Sequence, residues 1–564
     1  MPTFQVFTMQ CLKIVVLIIG GWCAIVSGRG VNGGMSCAVC TVLMGVAMQV
    51  AEIKEESIAN ATKRLCTFLP GNAKKECLSL VEDVEPLFLN ISKKATPDLL
   101  CIAYGTCKVD PGQPLCHLFP LPFMEEEFLE TAKKMAISAN LVEKIDVCTF
   151  SVIKDICRIL NNSYTSLKPA QDHDEDGFSI ISSARGFDWK GRDCNDNNPD
   201  IYPGRLPYKM DVGEDSNCNG IYGMDTKTNT PWEEVLCKGS KPSGLIYIGD
   251  SIGAHFHMPQ IWINPIEFTW PSLNASDVIL DELDWPQFGF ATGYKNISDN
   301  ILIKGAVDSL YLRLKKRNRC NHRDYQNLSQ NGASSFEGIE HAKSVNRNQT
   351  VDSPAIVIYA MQGNDVCNNF QDTIAHMTPP KVFEDNIMKT LDILNGKLPR
   401  NSHVLLMGLV NGKKTFSQMA ERLHPIGVLH NNVHYKNVYD WFNCMQIGPC
   451  TGWLNSNETV RSITSEKAGE LTDVLKRIVK NQNFEYFNLH FVENPINQLI
   501  FDDMINIPDL LEAVDSLHPN QRAQPLLATK LWKQMLNDLP KNVLGPTNVF
   551  NAKIKKLFGD QGGY

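Results

Sequence analysis

Six cysteines fall between residues 37 and 107, at 37, 40, 66, 77, 101 and 107, and they constrain the fold more than any other feature of this chain. Cross-links at that density stand in for the large apolar core that so short a stretch cannot build. Between them the sequence predicts helix. Val39 to Glu55 carries Val42, Leu43, Val46, Val50 and Ile53 at the spacing of one helical face. Spacing alone does not choose among the possible cysteine pairings. The stretch holds seven basic and eight acidic residues, so its contacts with a partner should be mainly apolar.

The chain has 564 residues, too many for one ordinary domain, and its 43% apolar and 21% charged content is that of a globular protein. A formal charge of −8 gives no general reason to expect a nucleic-acid partner. Residues 1–28 have the form of a secretory signal. Lys13 precedes the apolar run Ile14 to Val26, which is short for a membrane span, and Ser27 and Gly28 follow. No later stretch reads as a span, so the expected mature protein is soluble and secreted or held in a lysosomal or granule lumen. Of 18 cysteines, Cys11 and Cys23 lie in the leader, leaving an even number to pair in an oxidising compartment. Glycosylation sequons stand at Asn60, Asn90, Asn161, Asn274, Asn296, Asn327, Asn348 and Asn457.

Residues 109–170 form a joining segment with some helix, Met124 to Val147 included. Arg158 to Lys168 is polar and expected to be exposed and open to proteolysis. Cys116, Cys148 and Cys157 lie nearby. A cut here would leave two parts that disulfides can hold together, with Cys444 or Cys450 as candidate partners.

Residues 171–240 carry the densest polar signal. Asp172, Asp174 and Asp176 alternate ahead of Gly177, with Phe178 at the next alternate position. Asp193, Asn195 and Asn197 repeat the spacing, with Asp196 and Asp200 close by. Asp215, Asn217 and Asn219 repeat it again before Gly220, with Asp225 downstream. Hard oxygen donors on tight loops suit Ca²⁺, which takes six to eight of them; Mg²⁺ prefers strict octahedral sites and keeps its waters. Position 12 of the first loop is Ser183 where an EF-hand has a bidentate Glu, so the expectation is several structural calcium ions in repeated thrombospondin-like loops.

From residue 241 to 564 the pattern changes to apolar runs alternating with helical stretches, which predicts an α/β layered domain with a parallel sheet. Leu245 to Ile248 leads into Gly249-Asp250-Ser251, and Ala355 to Tyr359 leads into Gly363-Asn364-Asp365. Ligands in such sheets gather at the carboxyl ends of strands. Near the C-terminus Asp515-Ser516-Leu517-His518 puts a carboxylate and an imidazole one turn apart. A serine hydroxyl needs a base to become a nucleophile, and that base needs an orienting carboxylate. Ser251, His518 and Asp515 are the candidates. Donors for a developing oxyanion would be the Ser251 N–H group and the Asn364 amide. His255, His257, His430 and His434 lack a third ligand at a telling spacing and are expected to be structural or to line a substrate path.

Three resemblances follow from these motifs. The cysteine frame resembles a saposin B-type domain over 36–108, a fold of disulfide-stapled helices. That resemblance implies the pairs Cys37–Cys107, Cys40–Cys101 and Cys66–Cys77. It also implies lipid contact, the alternative being that the apolar face packs against the second domain or another copy of the chain. The four blocks Gly249-Asp250-Ser251, Asn331-Gly332-Ala333, Gly363-Asn364-Asp365 and Asp515-Ser516-Leu517-His518 resemble those of the GDSL, or SGNH, hydrolases, with Ile252 in place of the family's Leu. That family implies a flavodoxin-like sheet, ester hydrolysis, and the Gly332 N–H as a further oxyanion donor. The order of leader, saposin domain, calcium loops and GDSL domain resembles the acyloxyacyl hydrolase family. This implies lipid A of bacterial lipopolysaccharide as substrate, loss of its secondary acyl chains, and a precursor cut into two disulfide-linked subunits. The residues by themselves leave open a phospholipase or lysophospholipase acting on glycerolipids, and a non-catalytic lipid-binding protein.

Overall fold

The computed structural model describes residues 30–67, 96–103, 105–120, 162–273, 281–298, 300–501 and 507–564, together with 74, 75, 78, 81 and 82. The leader, Cys77, Cys148, Cys157, the sequons at Asn90, Asn161 and Asn274, and the helix expected over 124–147 lie outside them.

The N-terminal unit is a helical leaf. Helix α1 spans Gly34–Ile53, α2 Ile58–Cys66 and α3 Pro97–Ala103. Disulfides Cys37–Cys107 and Cys40–Cys101 staple α1 to α3 and the turn after it. Cys66 is also disulfide-bonded. Helix α1 is long and apolar enough to cross a membrane, contrary to the reading that no later stretch is. Its apolarity has another use here: 61% of its apolar stretch is buried within the protein.

Helix α1 packs against α2 and α3 within the leaf and, on another part of its surface, against the second domain. Met44, Val46 and Val50 share one core with Trp262, Phe268, Ile426, Val438 and Trp441. Gly45 makes the approach close, since a Cβ there would lie 2.5 Å from the Phe119 ring. The segment carrying Phe119 is held by Asp98 of α3, whose carboxylate accepts the Leu118 and Phe119 N–H groups. It is also tied to the second domain by the disulfide Cys116–Cys444. Of the two partners expected for Cys116, Cys444 is the one used; Cys450 pairs with Cys367.

The second domain is built on five parallel strands: β1 Gly244–Gly249, β2 Tyr325–Asn327, β3 Ala355–Ala360, β4 Ser402–Met407 and β5 Phe487–Val492. Their order in the sheet is β2-β1-β3-β4-β5. Strands β1, β3 and β4 are buried along their whole length, as expected of a parallel sheet covered on both faces. The covering helices include α4 Ser335–Lys343, α5 Pro380–Asn395, α6 Glu458–Asn481 and α7 Gln524–Asn537. A reciprocal cap between Ser334 and Glu337 starts α4. The chain leaves β1 toward β2 and returns across it to β3, so the sheet's switch point lies at the carboxyl ends of β1 and β3.

Asn327 is the sequon that the fold overrules. It lies 1% exposed in β2, and its amide donates to the Gly253 carbonyl and Thr292 Oγ1. No sugar fits at that nitrogen. Asn60, Asn296, Asn348 and Asn457 are exposed.

Candidate active site

Each predicted site residue of the second domain leaves the end of a strand or a tight loop. Ser251 opens the short helix that follows β1, and Asp250 caps it, accepting the Ile252 N–H at 3.0 Å. The other Asp250 oxygen accepts the Gln362 N–H at 2.7 Å, joining the turn after β1 to the loop after β3. Gly253 lets this turn sit tightly on the sheet, because a Cβ there would meet the Tyr247 ring at 2.4 Å.

Ser251 Oγ lies 2.7 Å from His518 Nε2, and His518 Nδ1 lies 2.5 Å from Asp515 Oδ2. Asp515 Oδ1 accepts the N–H groups of Leu517 and His518, an arrangement helped by Ser516 at φ +52°. Burial resists charge on His518, but the Asp515 carboxylate outweighs it and raises the imidazole above its usual 6.5. Burial likewise favours a neutral Asp515, yet His518 and the two backbone donors hold it below the usual carboxylate range. This geometry equips an imidazole to take the hydroxyl proton and a carboxylate to stabilise the resulting cation.

Gly332 takes φ +77°, a left-handed conformation that suits glycine, on the loop after β2. Asn364 donates its amide to the Ala333 carbonyl at 2.8 Å, lacing that loop to the one after β3. Ser251, Gly332, Asn364 and His518 all line one cavity of about 1150 Å³, larger than the ~300–1,000 Å³ of ordinary ligand pockets. Part of its wall comes from the helical leaf, through Val39, Val42, Leu43 and Val46 of α1, and Phe256 and Trp441 line it as well. Sequence reading did not find this wall, because the contact joins two domains.

Arg185 was also missed. It lies 2% exposed beneath the Gly332 loop, paired with Glu282 and donating to the Ser329 carbonyl at 2.8 Å. Asn331 donates to the carboxylate of Asp284 nearby. Tyr164 reaches the Asn331 carbonyl from the joining segment. Within the stretch expected to be exposed, Ser163 and Leu167 are buried and Tyr164 lines the cavity, while Asn162, Thr165 and Lys168 are exposed. The four singled-out histidines form no common ligand set. His255 bonds the Trp285 carbonyl, His257 pairs with Glu512, His430 pairs with Glu52 of α1, and the His434 backbone N–H donates to Asn437.

The acidic loops gather into two clusters rather than three. In the first, carboxylate oxygens of Asp172, Asp174 and Asp176 lie within 4.8 Å of one another. One oxygen each of Asp172, Asp174, Asp176 and Asp193 is buried without a hydrogen-bond partner. Asp196 accepts the His173 N–H beside them. Burial raises Asp176 to about 8 and Asp193 to about 6. Such convergent, unsatisfied carboxylates fit a hard cation. In the second cluster, Asp215, Asn217 and Asn219 are joined by two residues outside the repeat. Glu233 accepts from the amides of Asn217 and Asn219, and Asp211 has an unpartnered buried oxygen.

Four expected ligands stand elsewhere. Asp200 is exposed and pairs with Arg205. Asp225 accepts the Lys227 N–H in its own turn. Asn195 donates to Glu214, and Asn197 is exposed. The disulfide Cys194–Cys218 pins the two clusters to each other.

A saposin-like leaf on a parallel-sheet domain with a serine at its switch point defines a lipid-deacylating ester hydrolase. Family models agree: residues 36–158 match the saposin-like domain and 245–531 the GDSL-like lipase/acylhydrolase. The chain is 40% identical to the acyloxyacyl hydrolase of Homo sapiens over 95% of both chains. It is 40% identical to the rabbit (Oryctolagus cuniculus) protein over 94% of this chain and 93% of that one. The mouse (Mus musculus) protein is likewise 40% identical over 95% of both. The chain belongs to the acyloxyacyl hydrolase family.

Proposed function

We propose that this protein removes secondary, acyloxyacyl-linked fatty acyl chains from lipid A of bacterial lipopolysaccharide. Ser251 attacks the ester carbonyl, His518 takes its proton and passes it to the leaving oxygen, a water then attacks the acyl-Ser251 ester with His518 as base and frees the fatty acid, and Asp515 stabilises the imidazolium in both halves. The N–H groups of Ser251 and Gly332 and the Asn364 amide receive the oxyanion, each donor worth about 3 kcal/mol. The observation that carries the reading is the Ser251–His518–Asp515 chain opening onto a cavity walled partly by the helical leaf. Drawing an acyl chain out of a lipid aggregate costs about 0.8 kcal/mol per methylene unless apolar surface receives it, and α1 supplies such surface.

Calcium is assigned to both acidic clusters, held by Asp172, Asp174, Asp176, Asp193 and Asp196 in one and by Asp211, Asp215, Asn217, Asn219 and Glu233 in the other. Its role is to order the loops, with no part in the chemical step. The disulfides and leader support passage through the secretory route. Cys116–Cys444 would keep two subunits joined after a cut in the joining segment. The function is tested by measuring fatty acids released from purified lipopolysaccharide and from phosphatidylcholine. Release from lipopolysaccharide supports the reading; release from phosphatidylcholine alone replaces it with a phospholipase.

A further inference from the structure

A second imidazole–carboxylate pair lies beside the first. Both oxygens of Glu512 are 2.9 Å from His257 Nδ1, and the other ring nitrogen is 3.1 Å from the Leu302 carbonyl. The Glu512 and His257 side chains are 2% and 12% exposed. The Leu302 carbonyl accepts from one ring nitrogen and an ionised Glu512 accepts from the other, which makes the pair imidazolium and carboxylate; burial raises the Glu512 carboxyl above its usual 4.5 and the His257 charge opposes that rise.

The pair links the two segments that must meet for catalysis. His257 follows Ser251 by six residues, and its backbone is fixed at both ends: its N–H donates to the Leu283 carbonyl and its carbonyl accepts from Trp285 Nε1. Glu512 sits where the loop of Asp515 and His518 closes on itself. Its N–H donates to the His518 carbonyl at 2.8 Å, its own carbonyl accepts the Ser516 N–H, and Leu511 bridges Pro519. Between the segments, the Phe256 ring packs on the His518 ring at 4.9 Å between centroids.

We propose that the His257–Glu512 ion pair is a positioning device for the reaction, clamping the nucleophile turn to the loop of the base. The groups facing this loop are Asp515 on the loop itself, Asp250 and His257 beside the nucleophile, and His424 and Tyr435 packed behind it, bonded to the Val514 and Ala513 carbonyls. His424 is held neutral by burial, so Glu512 reinforces the field of Asp515 and Asp250 unopposed from that side. Burial resists charge on His257 and Glu512 restores it, leaving the ring above its usual 6.5.

The inference rests on the Ser251–His518 reading, and the test keeps the two apart. Turnover of a short soluble ester is followed across pH for the full chain, for Ser251→Ala, for Glu512→Gln, and for the double variant His257→Phe/Glu512→Leu. The double variant replaces a buried ion pair by apolar groups, a change that proteins often tolerate. Glu512→Gln should lower kcat by about tenfold with KM nearly unchanged, and move the acid limb of kcat/KM down by about half a pH unit or more. The double variant should show the same displaced limb while melting no lower than the parent. An unmoved limb in both variants, or a loss that only follows the unfolded fraction, would overturn the clamp. Activity retained by Ser251→Ala would instead overturn the reading on which it rests.

Discussion

Asp515 and His518 are three residues apart, yet they meet side chain to side chain at 2.5 Å because Ser516 between them turns left-handed. The carboxylate therefore fixes the proton on Nδ1 and leaves Nε2 to face Ser251.

Asp515→Asn should lower turnover by on the order of 10⁴ with the fold intact, because the amide stabilises the wrong tautomer. In the parent, kcat/KM should rise with pH through a midpoint above 6.5, since the base acts only when neutral and its folded value is raised. Steady-state rates across pH check both; a midpoint well below 6.5 contradicts the charge pattern described.

Chelation should lower the melting temperature by mass action. The pH dependence carries a sign. The metal-free carboxylates are raised, with burial as the largest cause in Asp176, at about 8, and Asp193, at about 6. Their contribution to stability is present below the unfolded value of 3.8 and is lost as pH rises through the folded values. The melting gap between calcium-loaded and chelated protein should widen from acid toward pH 8. A gap independent of pH, with no calcium in a metal analysis, removes the assignment.

These clusters also mark where the sequence stopped being informative. The repeated spacing located Asp172 to Asp176 and Asp215 to Asn219, because the donors of a loop are local in the chain. Glu233 comes from the first turn of the helix Trp232–Leu236, and Asp211 stands four residues before Asp215, so neither obeys the repeat. Asp200 and Asp225 obey proximity but point to Arg205 and to a local turn. The catalytic motifs were legible for the same reason, each lying on one strand end or one loop. Asn327 looked like a surface sequon until β2 placed it inside, and a three-residue motif contains nothing about burial. The apolar face of α1 was visible, but its partner was not: that face meets Trp262 and Trp441, more than two hundred residues away.

The link between Cys116 and Cys444 predicts a redox test of subunit structure. After proteolysis in the joining segment, the two fragments should migrate together without reductant and separately with it. Cys444→Ser should release them without reductant. Fragments that stay joined in that variant would require a second bridge.

Deleting the leaf would strip the core it shares with the second domain, so a point substitution tests its role better. Leu43→Trp adds bulk to the cavity wall formed by α1. It should lower turnover of lipopolysaccharide by about tenfold or more while changing that of a short ester by no more than about twofold. Equal losses on both substrates would mean that α1 supports the fold and receives no acyl chain.

The central claim is that Ser251 releases secondary acyl chains from lipid A. The most direct measurement is mass analysis of lipid A and free fatty acids after incubation with the parent protein or with Ser251→Ala. The parent should remove only chains esterified to the hydroxyls of primary acyl chains. Ser251→Ala, folded as judged by its melting temperature, should release none above background, a fall of on the order of 10⁶ in turnover. Fatty-acid release by Ser251→Ala at the parent's rate, or parent protein that leaves every secondary chain in place, would contradict it.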